Sequence, residues 1–188
     1  LPLLLGLAQA DPQGPWQQMA SQLPQFLHAI SPHGFAPDWI GLDNGRHFFV
    51  PPQGGEGSYN AIRVYLWAGM ATEETPFGPE ILAALPGMHA FLQQHGLPPL
   101  SVDAANGKTQ GTGPVGFSAA LLPYLAAEHD QSAFNRQLQR VQEAQNPGTG
   151  LLGTPSYYYD QNLALFALGY LSHSFDFGKN GALCTWWS

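Results

Sequence analysis

Apolar residues recur at helical spacing through most of this chain, and this periodicity constrains the fold more than any other feature. Spacing of i, i+3 and i+4 gathers apolar side chains on one face of an α-helix, and no alternating strand pattern competes with it. We therefore predict an all-α fold of helices in antiparallel pairs. The predicted helices cover residues 14–30, 59–71, 79–95, 115–127, 131–145 and 156–172.

Proline and glycine interrupt this pattern in two ways. Pro24 and Pro86 fall inside predicted helices and should kink or split them, because proline lacks the N–H that a helix interior needs. "RHFFVPPQ" (46–53) is typical of a short strand. Gly- and Pro-rich loops join the helices, and long loops in a compact domain are often functional. The loops cover residues 31–57, 96–114 and 146–155.

Composition excludes several classes of protein. The 188 residues are 44% hydrophobic, enough for one domain with a core, but only 10% are charged. Six Lys and Arg against 13 Asp and Glu give a net charge of -7, which argues against nucleic acid as a partner. A neutral ligand such as a sugar fits better. No apolar run approaches the ~18 residues of a membrane span, so we expect no membrane insertion.

The first twelve residues, "LPLLLGLAQADP", have two interpretations. They resemble the end of a signal peptide, with Ala8-Gln9-Ala10 as a triplet typical of cleavage. Alternatively, Leu1 lies inside a helix and this chain begins within a domain. The basic segment that opens a signal peptide is absent from these residues, and we favour the second interpretation.

The stretch "GEGSYNAIRVYLWAGM" (55–70) runs from a loop into an amphipathic helix. Tyr59, Asn60 and Arg63 stand at the mouth of this helix. An aromatic ring, an amide and a guanidinium in this arrangement are typical of a site that grips a polar, ring-shaped ligand. Arg63 is one of only six cations, so we expect it to have an assigned partner.

Other motifs do not predict chemistry. His89 and His95 do not share one helix face, and Cys184 is the single cysteine, so no metal site is predicted. "GKTQGTGPVGF" (107–117) lacks the ending of a phosphate loop, and we interpret it as a loop packed closely before a helix. Ser118 is not in a nucleophile elbow. We expect no cofactor.

Aromatic residues beside loops and helix starts are candidate sugar platforms. Most aromatic side chains in any protein belong to the core, but a Tyr or Trp at a helix mouth offers a flat apolar face with a polar handle. Tyr157, Tyr158 and Tyr159 cannot all point inward from one helix, so at least one should face a cleft or solvent. Trp39, Tyr158 and Tyr159 are our candidates for binding substrate.

Several long motifs resemble glycoside hydrolase family 8. "SYNAIRVYLW" (58–67) is similar to the family signature "SYDAIRV". The resemblance extends, in order and spacing, over nearly the whole chain, and includes cellulases that are encoded with bacterial cellulose synthases. The other similar stretches are "GFAPDW" (34–39), "VDAANGKTQGTGPVGFSAALLPYL" (102–125) and "YYYDQNLALF" (157–166).

This resemblance implies an (α/α)6 barrel of twelve helices that hydrolyses β-1,4-glucan with inversion, in the periplasm or outside the cell. Six predicted helices are half of twelve, so residues 1–188 would form a single partial domain, the C-terminal half of the barrel. Half a barrel exposes apolar faces, and we expect it to pair with a complementary N-terminal half or with a second copy of itself.

Two departures from the family pattern bear on activity. The family's general base is the Asp of "SYDA", and Asn60 stands at that position here. Its general acid is a Glu in a motif like "SEGQGYGM", which nothing in this chain matches, since Glu56 lies in the wrong place. An amide cannot accept a proton from water near neutral pH, so the resemblance implies an endoglucanase fragment that is inactive as it stands.

Several explanations of Asn60 stay open at this point. The amide is an engineered Asp→Asn change, a natural feature of a family branch, or a sign that the protein has become a non-catalytic glucan-binding or scaffold protein. In the catalytic interpretation, Tyr59 and Arg63 orient the sugar and the attacking water. An all-α regulatory domain unrelated to sugars would require the motif match to be accidental.

Overall fold

The computed structural model describes residues 1–51, 55–71 and 73–186. Within them the chain forms eight helices and seven strands of two or three residues, so the predicted all-α class is confirmed. The helices are α1 (Pro2–Ala10), α2 (Trp16–Ile30), α3 (Ile62–Gly69), α4 (Gly78–Ala83), α5 (Pro86–His95), α6 (Val115–Ala127), α7 (Gln131–Glu143) and α8 (Tyr158–Leu171). The strands are β1 (Gly41–Leu42), β2 (Phe48–Phe49), β3 (Glu56–Gly57), β4 (Ser101–Asp103), β5 (Thr109–Gln110), β6 (Phe175–Phe177) and β7 (Leu183–Thr185).

Helix α6 is the centre of the core. Ten of its 13 residues are buried, and it packs against α3, α7 and α8. A helix that is apolar on all sides is stable only when other elements surround it. The Tyr124 ring meets Tyr65 of α3 edge to face, with centroids 5.4 Å apart, and its hydroxyl donates to the Leu85 carbonyl at 2.8 Å. Tyr65 in turn accepts from the Ala36 amide at 3.0 Å, which anchors the loop after α2.

Gly69 sets the distance between α3 and α6. A Cβ at this position would collide with the backbone of Pro123 and Tyr124, so the two helices touch main chain to main chain. This contact requires glycine because any side chain would push the helices apart. The face predicted for this helix is buried as expected, with Ile62, Tyr65 and Leu66 each at most 2% exposed.

Pro24 and Pro86 behave differently. Pro86 divides the predicted helix 79–95 into α4 and α5, and it occupies the first turn of α5, where a missing N–H is harmless. Pro24 lies inside α2, which continues unbroken from Trp16 to Ile30, so the expected split is absent there. Pro24 removes one backbone hydrogen bond, while buried Ala20 and Leu27 hold both halves of α2 on the core.

Other predicted bounds need small corrections. The helix predicted from residue 59 begins at Ile62, because a turn occupies residues 59–61. Residues 2–10 form α1, which packs on α2, as the helical interpretation of the first twelve residues expects. The short strand expected within 46–53 is β2, although Pro52 and Gln53 lie outside the described residues.

The long loops carry more strands than the single short one that the sequence predicted. Loop 31–57 and loop 96–114 together carry β1 to β5. β3, β4 and β5 form one antiparallel sheet in which Gly57 pairs with Val102, and this sheet joins the two loops just before α3. In the described part of the chain, no helix has the length and apolarity needed to cross a membrane.

Candidate functional site

One carboxylate organises the turn that leads into α3. Asp38 Oδ1 accepts three backbone hydrogen bonds, from the amides of Ser58 at 2.7 Å, Asn60 at 3.0 Å and Ala61 at 2.7 Å. The Asp38 amide itself donates to the Glu56 carbonyl at 2.7 Å. A loop that is distant in sequence therefore fixes the backbone at the helix mouth, and the side chains of residues 59–63 take their directions from it.

The predicted pair Asn60 and Arg63 is in direct contact. Arg63 Nη2 donates to Asn60 Oδ1 at 2.6 Å, so the partner expected for Arg63 exists and is this amide. Arg63 is exposed rather than partly buried, and Asn60 is half-buried. The oxygen of Asn60 accepts from the guanidinium with one of its two lone pairs, and its Nδ2 adds a group that can only donate to a ligand.

Tyr59 and Tyr159 form the aromatic wall beside this pair. Their ring centroids are 5.8 Å apart, and the Tyr159 hydroxyl donates to the Tyr59 carbonyl. Tyr59 also contacts Phe117 of α6 edge to face, with the ring centroids 5.1 Å apart. Half of the Tyr59 side chain stays exposed despite these contacts, so a flat ring face is available next to Asn60.

The other two predicted platforms are less closely integrated. Trp39 directly follows Asp38 and is 66% exposed, so the hydrogen bonds of Asp38 tie its backbone to the Asn60 turn. Tyr158 is 82% exposed at the start of α8, and its ring takes no part in the contact between Tyr59 and Tyr159. The prediction that one of the three consecutive tyrosines faces solvent is confirmed by Tyr157 and Tyr158.

A second polar cluster lies behind the aromatic wall, inside the protein. Arg140 of α7 donates to Ser118 Oγ at 2.9 Å and to the Gly113 carbonyl at 2.7 Å. Ser118 donates to Gln137 Oε1 at 2.7 Å, and Gln137 Nε2 donates to the Gly96 carbonyl at 2.7 Å. We call Arg140, Ser118, Gln137 and Asp160 the buried cluster.

Asp160 connects the buried cluster to Tyr159. It lies in the first turn of α8, 5% exposed, and packs so closely on Gly116 that a Cβ there would collide with it. Burial raises the pKa of Asp160, while a hydrogen bond from the Gly116 backbone and the charge of Arg140 oppose the rise. Burial also raises the pKa of Tyr159, although the neighbouring Arg63 works in the opposite direction. Gly113, in the loop before α6, is also closely packed, since a Cβ there would collide with Phe117, as expected for a loop packed closely before a helix.

Sequence reasoning missed Asp38, which does the most to build the site. It stood in the quoted motif "GFAPDW", but its role depends on contacts 20 to 23 residues along the chain, which no local pattern reveals. One signal was available. In a chain with only 13 acidic residues, a carboxylate between Pro37 and Trp39 in a loop was a candidate for a specific role.

The arrangement suits binding of a neutral polyhydroxylated ring better than acid–base chemistry. Arg63 and Asn60 Nδ2 offer donors, and Tyr59 and Trp39 offer flat apolar faces. Among the described residues, no cluster of His, Cys, Asp or Glu has the arrangement of a metal site. An apolar groove of about 640 Å³ lies elsewhere, between α4 and α6 at the opposite end of α3, and shares no residue with the site.

Comparison with known proteins gives a consistent result. The model of the glycosyl hydrolases family 8 matches residues 2–173. An endoglucanase of Xanthomonas axonopodis pv. citri (strain 306) is 41% identical over 180 residues, which cover 96% of this chain and 46% of the relative. An endoglucanase of Escherichia coli (strain K12) is 36% identical over 174 residues, 92% of this chain and 45% of the relative.

A solved structure agrees with these relatives. The crystal structure of an endo-1,4-D-glucanase from Vibrio fischeri ES114 superposes with a TM-score of 0.83 at 28% identity, over 99% of this chain and 52% of that one. This chain therefore spans about half the length of the curated relatives it matches. The predicted fold, half of an (α/α)6 barrel, is confirmed.

Proposed function

This chain belongs to glycosyl hydrolase family 8, and from that premise we propose that it supplies the general-base side of an endo-β-1,4-glucanase active site. Its residues 1–188 would form the C-terminal half of the barrel. The observation that carries the proposal is the contact of 2.6 Å between Arg63 and Asn60, which stands where the family signature has aspartate. Tyr59 lies directly beside this pair.

Inverting hydrolysis assigns a role to each of these positions. One carboxylic acid protonates the leaving oxygen, while a carboxylate on the opposite face of the sugar removes a proton from the attacking water. Asn60 occupies the place of that carboxylate, Arg63 would orient it, and Tyr59 would support the sugar ring at the cleavage point. Trp39, Tyr158 and Tyr159 would bind neighbouring sugars.

Two features favour an inactive chain. The amide of Asn60 has no lone pair basic enough to take a proton from water, so the water would not be activated. Asp38 is the carboxylate bonded to the Asn60 backbone, but its Oδ1 already accepts three amide hydrogen bonds and holds the turn. Asp38 is therefore a poor substitute for the missing base.

The same amide favours a second candidate function, a non-catalytic glucan-binding or scaffold protein. Asn60 Nδ2 donates where an aspartate would accept, and hydroxyl groups of a sugar satisfy either kind of partner. The two candidates predict different effects of restoring the carboxylate, because only an active site that has lost its base regains turnover.

A partner for the open side of the molecule is part of the proposal. Trp67 and Phe166 meet at 5.5 Å on α3 and α8, and they are 37% and 41% exposed, with Leu165 beside them 69% exposed. This aromatic face, formed by Trp67, Leu165 and Phe166, lies next to the site, because Trp67 is one helical turn after Arg63. We propose that a complementary all-α half covers it, which fits a chain that spans about half of its relatives. The family's location in the periplasm or outside the cell is carried over with the same proposal.

The test is a fusion that completes the barrel. The part of the Xanthomonas endoglucanase that precedes its matched region is joined to this chain, and cleavage of carboxymethylcellulose is measured as new reducing ends. We expect very low turnover with Asn60 and an increase of about 10²–10⁴-fold with Asn60→Asp, the usual contribution of a general base. Asn135→Asp on α7 is the matched control, since its Oδ1 also accepts one side-chain hydrogen bond, from Gln131 at 2.8 Å, outside the site, and it should leave turnover unchanged.

The outcomes separate the candidates. A fusion that binds cellohexaose but gains no turnover from Asn60→Asp would contradict the assignment of the base position and favour the binding protein. Equal gains from Asn60→Asp and Asn135→Asp would show a general effect of charge. A fusion that neither binds nor cleaves, although it folds, would contradict both candidates.

A further inference from the structure

We propose that Asp38 is the positioning residue of the candidate site, and that it acts on Tyr59, Asn60 and Arg63 through the backbone of residues 58–61. The inference rests on the proposed function, because what Asp38 positions is the group that would contact glucan. Asp38 itself need not touch the ligand.

Helix α3 begins without a local cap. Ala61 stands at the N-cap position and offers no side-chain hydrogen bond. Asp38, in a loop at least 20 residues earlier, instead holds the turn that leads into the helix, with one oxygen receiving the amides of Ser58, Asn60 and Ala61. A negative charge is most favourable at this end of a helix, and charge-assisted hydrogen bonds are the strong ones.

Asp38 also links both sides of the site. Its own amide donates to the Glu56 carbonyl, and β3 is held in turn by pairing with β4. Ser58 Oγ adds a bond of 2.7 Å to the Leu100 carbonyl, just before β4. Trp39 follows Asp38 directly, so a single residue fixes how far this exposed ring lies from Asn60.

Loss of the Asp38 carboxylate should have a local consequence. Three amides would lose their acceptor in the turn that presents Tyr59 and Asn60, whereas the buried face of α3 would keep its packing on α6. The side chains of Tyr59, Asn60 and Arg63 would therefore adopt a wider range of orientations, while the core would stay folded.

The experiment compares Asp38→Ala with Asp43→Ala in the chain itself. Asp43 is a matched control, because its Oδ1 also accepts a backbone amide, from His47 at 2.8 Å, in the turn between β1 and β2 and outside the site. Cellohexaose is titrated into each ¹⁵N-labelled variant, and amide shifts give the affinity. Exchange of the Ser58, Asn60 and Ala61 amides with solvent is measured in the same samples.

We expect Asp38→Ala to weaken cellohexaose binding at least about tenfold and to raise exchange of those three amides by a similar factor, the usual scale for lost charged hydrogen bonds. Asp43→Ala should change neither quantity by more than about twofold, the scale of an ordinary exposed surface substitution. Asp38→Asn keeps one oxygen acceptor and should recover part of both losses, which a mere loss of overall stability would not reproduce.

Two results would overturn the inference. One is equal affinity in the two alanine variants. The other is unchanged exchange at the three amides after Asp38→Ala. If neither the unaltered chain nor its fusion with the complementary half shows binding of cellohexaose, the proposed function fails instead, and the exchange measurement alone decides for or against Asp38.

Discussion

The buried cluster and the mouth of α3 are built from the same kinds of hydrogen bond but differ in their access to water. Ser118 and Gln137 are completely buried, and their polar atoms bond to other protein groups. At the mouth of α3, Tyr59 is 48% exposed and Arg63 is exposed as well. An unpaired group is costly where water cannot replace its partner. The first region should therefore control stability, and the second should control what the protein binds.

The largest expected effect comes from Arg140→Met. The change would leave Asp160 buried beside no cation and the Gly113 carbonyl without its donor. We expect a loss of about 3 kcal/mol in the free energy of unfolding, measured by urea denaturation. Arg136→Met, on the exposed side of the same helix, should cost less than about 1 kcal/mol. Equal losses would break the distinction between the two regions.

The next effect is a pair of opposite pH dependences. A hydrogen bond from the Ala133 amide and one with His89 lower the pKa of Asp130 to about 2, whereas burial raises that of Asp160. Stability from Asp130 should be present above its unfolded pKa near 3.8 and disappear as the pH falls towards 2. Asp160 should affect stability in the opposite direction. Because burial disfavours its charged form, the free energy of unfolding should fall as the pH rises through its raised pKa.

Urea denaturation of Asp130→Asn and Asp160→Asn across pH separates these contributions. Asp130→Asn keeps a cap oxygen for α7 but removes the charge favoured by its hydrogen bonds, and should cost about 1 kcal/mol at neutral pH, with the difference from the unaltered chain vanishing in acid. As the pH is lowered from neutral, the free energy of unfolding of the unaltered chain should rise relative to that of Asp160→Asn. Parallel curves for all three proteins would contradict both assignments.

Tyr159→Phe tests the boundary between the two regions. It removes the hydroxyl that donates to the Tyr59 carbonyl and keeps the ring beside Tyr59. We expect a loss of about 1 kcal/mol in stability, the usual net value of one hydrogen bond, together with shifted amide resonances in residues 59–63. A stability loss as large as that of Arg140→Met would place Tyr159 with the buried cluster instead.

The smallest effect on stability is expected from Trp39→Ala. The side chain is 66% exposed, and substitutions at such positions usually change stability by less than about 0.5 kcal/mol. Binding of cellohexaose should nevertheless weaken by up to about tenfold, the scale of one aromatic contact. Leu3→Ala, at a 73% exposed position on α1, is the control and should change neither quantity. An unchanged affinity for Trp39→Ala would remove this ring from the site.

Most helices could be predicted from the sequence because their signals are local. Helix α6 was predicted with the bounds it has, since its apolar run starts after Pro114 and nothing inside it except Pro123 opposes a helix. The helix across Pro24 was predicted, but whether Pro24 would split it was not settled, because the cost of a proline depends on packing, which the local sequence does not record. β3 and β4 escaped notice because strands of two or three residues are stabilised by pairing across the chain and carry no periodicity of their own.

The candidate site was predictable only in part, for the same reason. Tyr59, Asn60 and Arg63 lie within one helical turn, so their proximity follows from the sequence. Tyr159 joins them through a contact 100 residues away; its place at a helix start made it a candidate, but spacing could not pair it with Tyr59. Asp38 was missed, because three backbone amides carry no side-chain signature in a sequence.

The contact at Gly69 couples the position of α3 directly to that of α6. Its backbone lies directly on α6 at that point, with no side chain between them to absorb a shift. Asn60 lies near the other end of α3, roughly 13 Å away along the helix axis. A small change in the angle at which α3 crosses α6 would therefore displace Asn60. A substitution in the core at this crossing should therefore alter ligand binding as well as packing, although it lies far from the site.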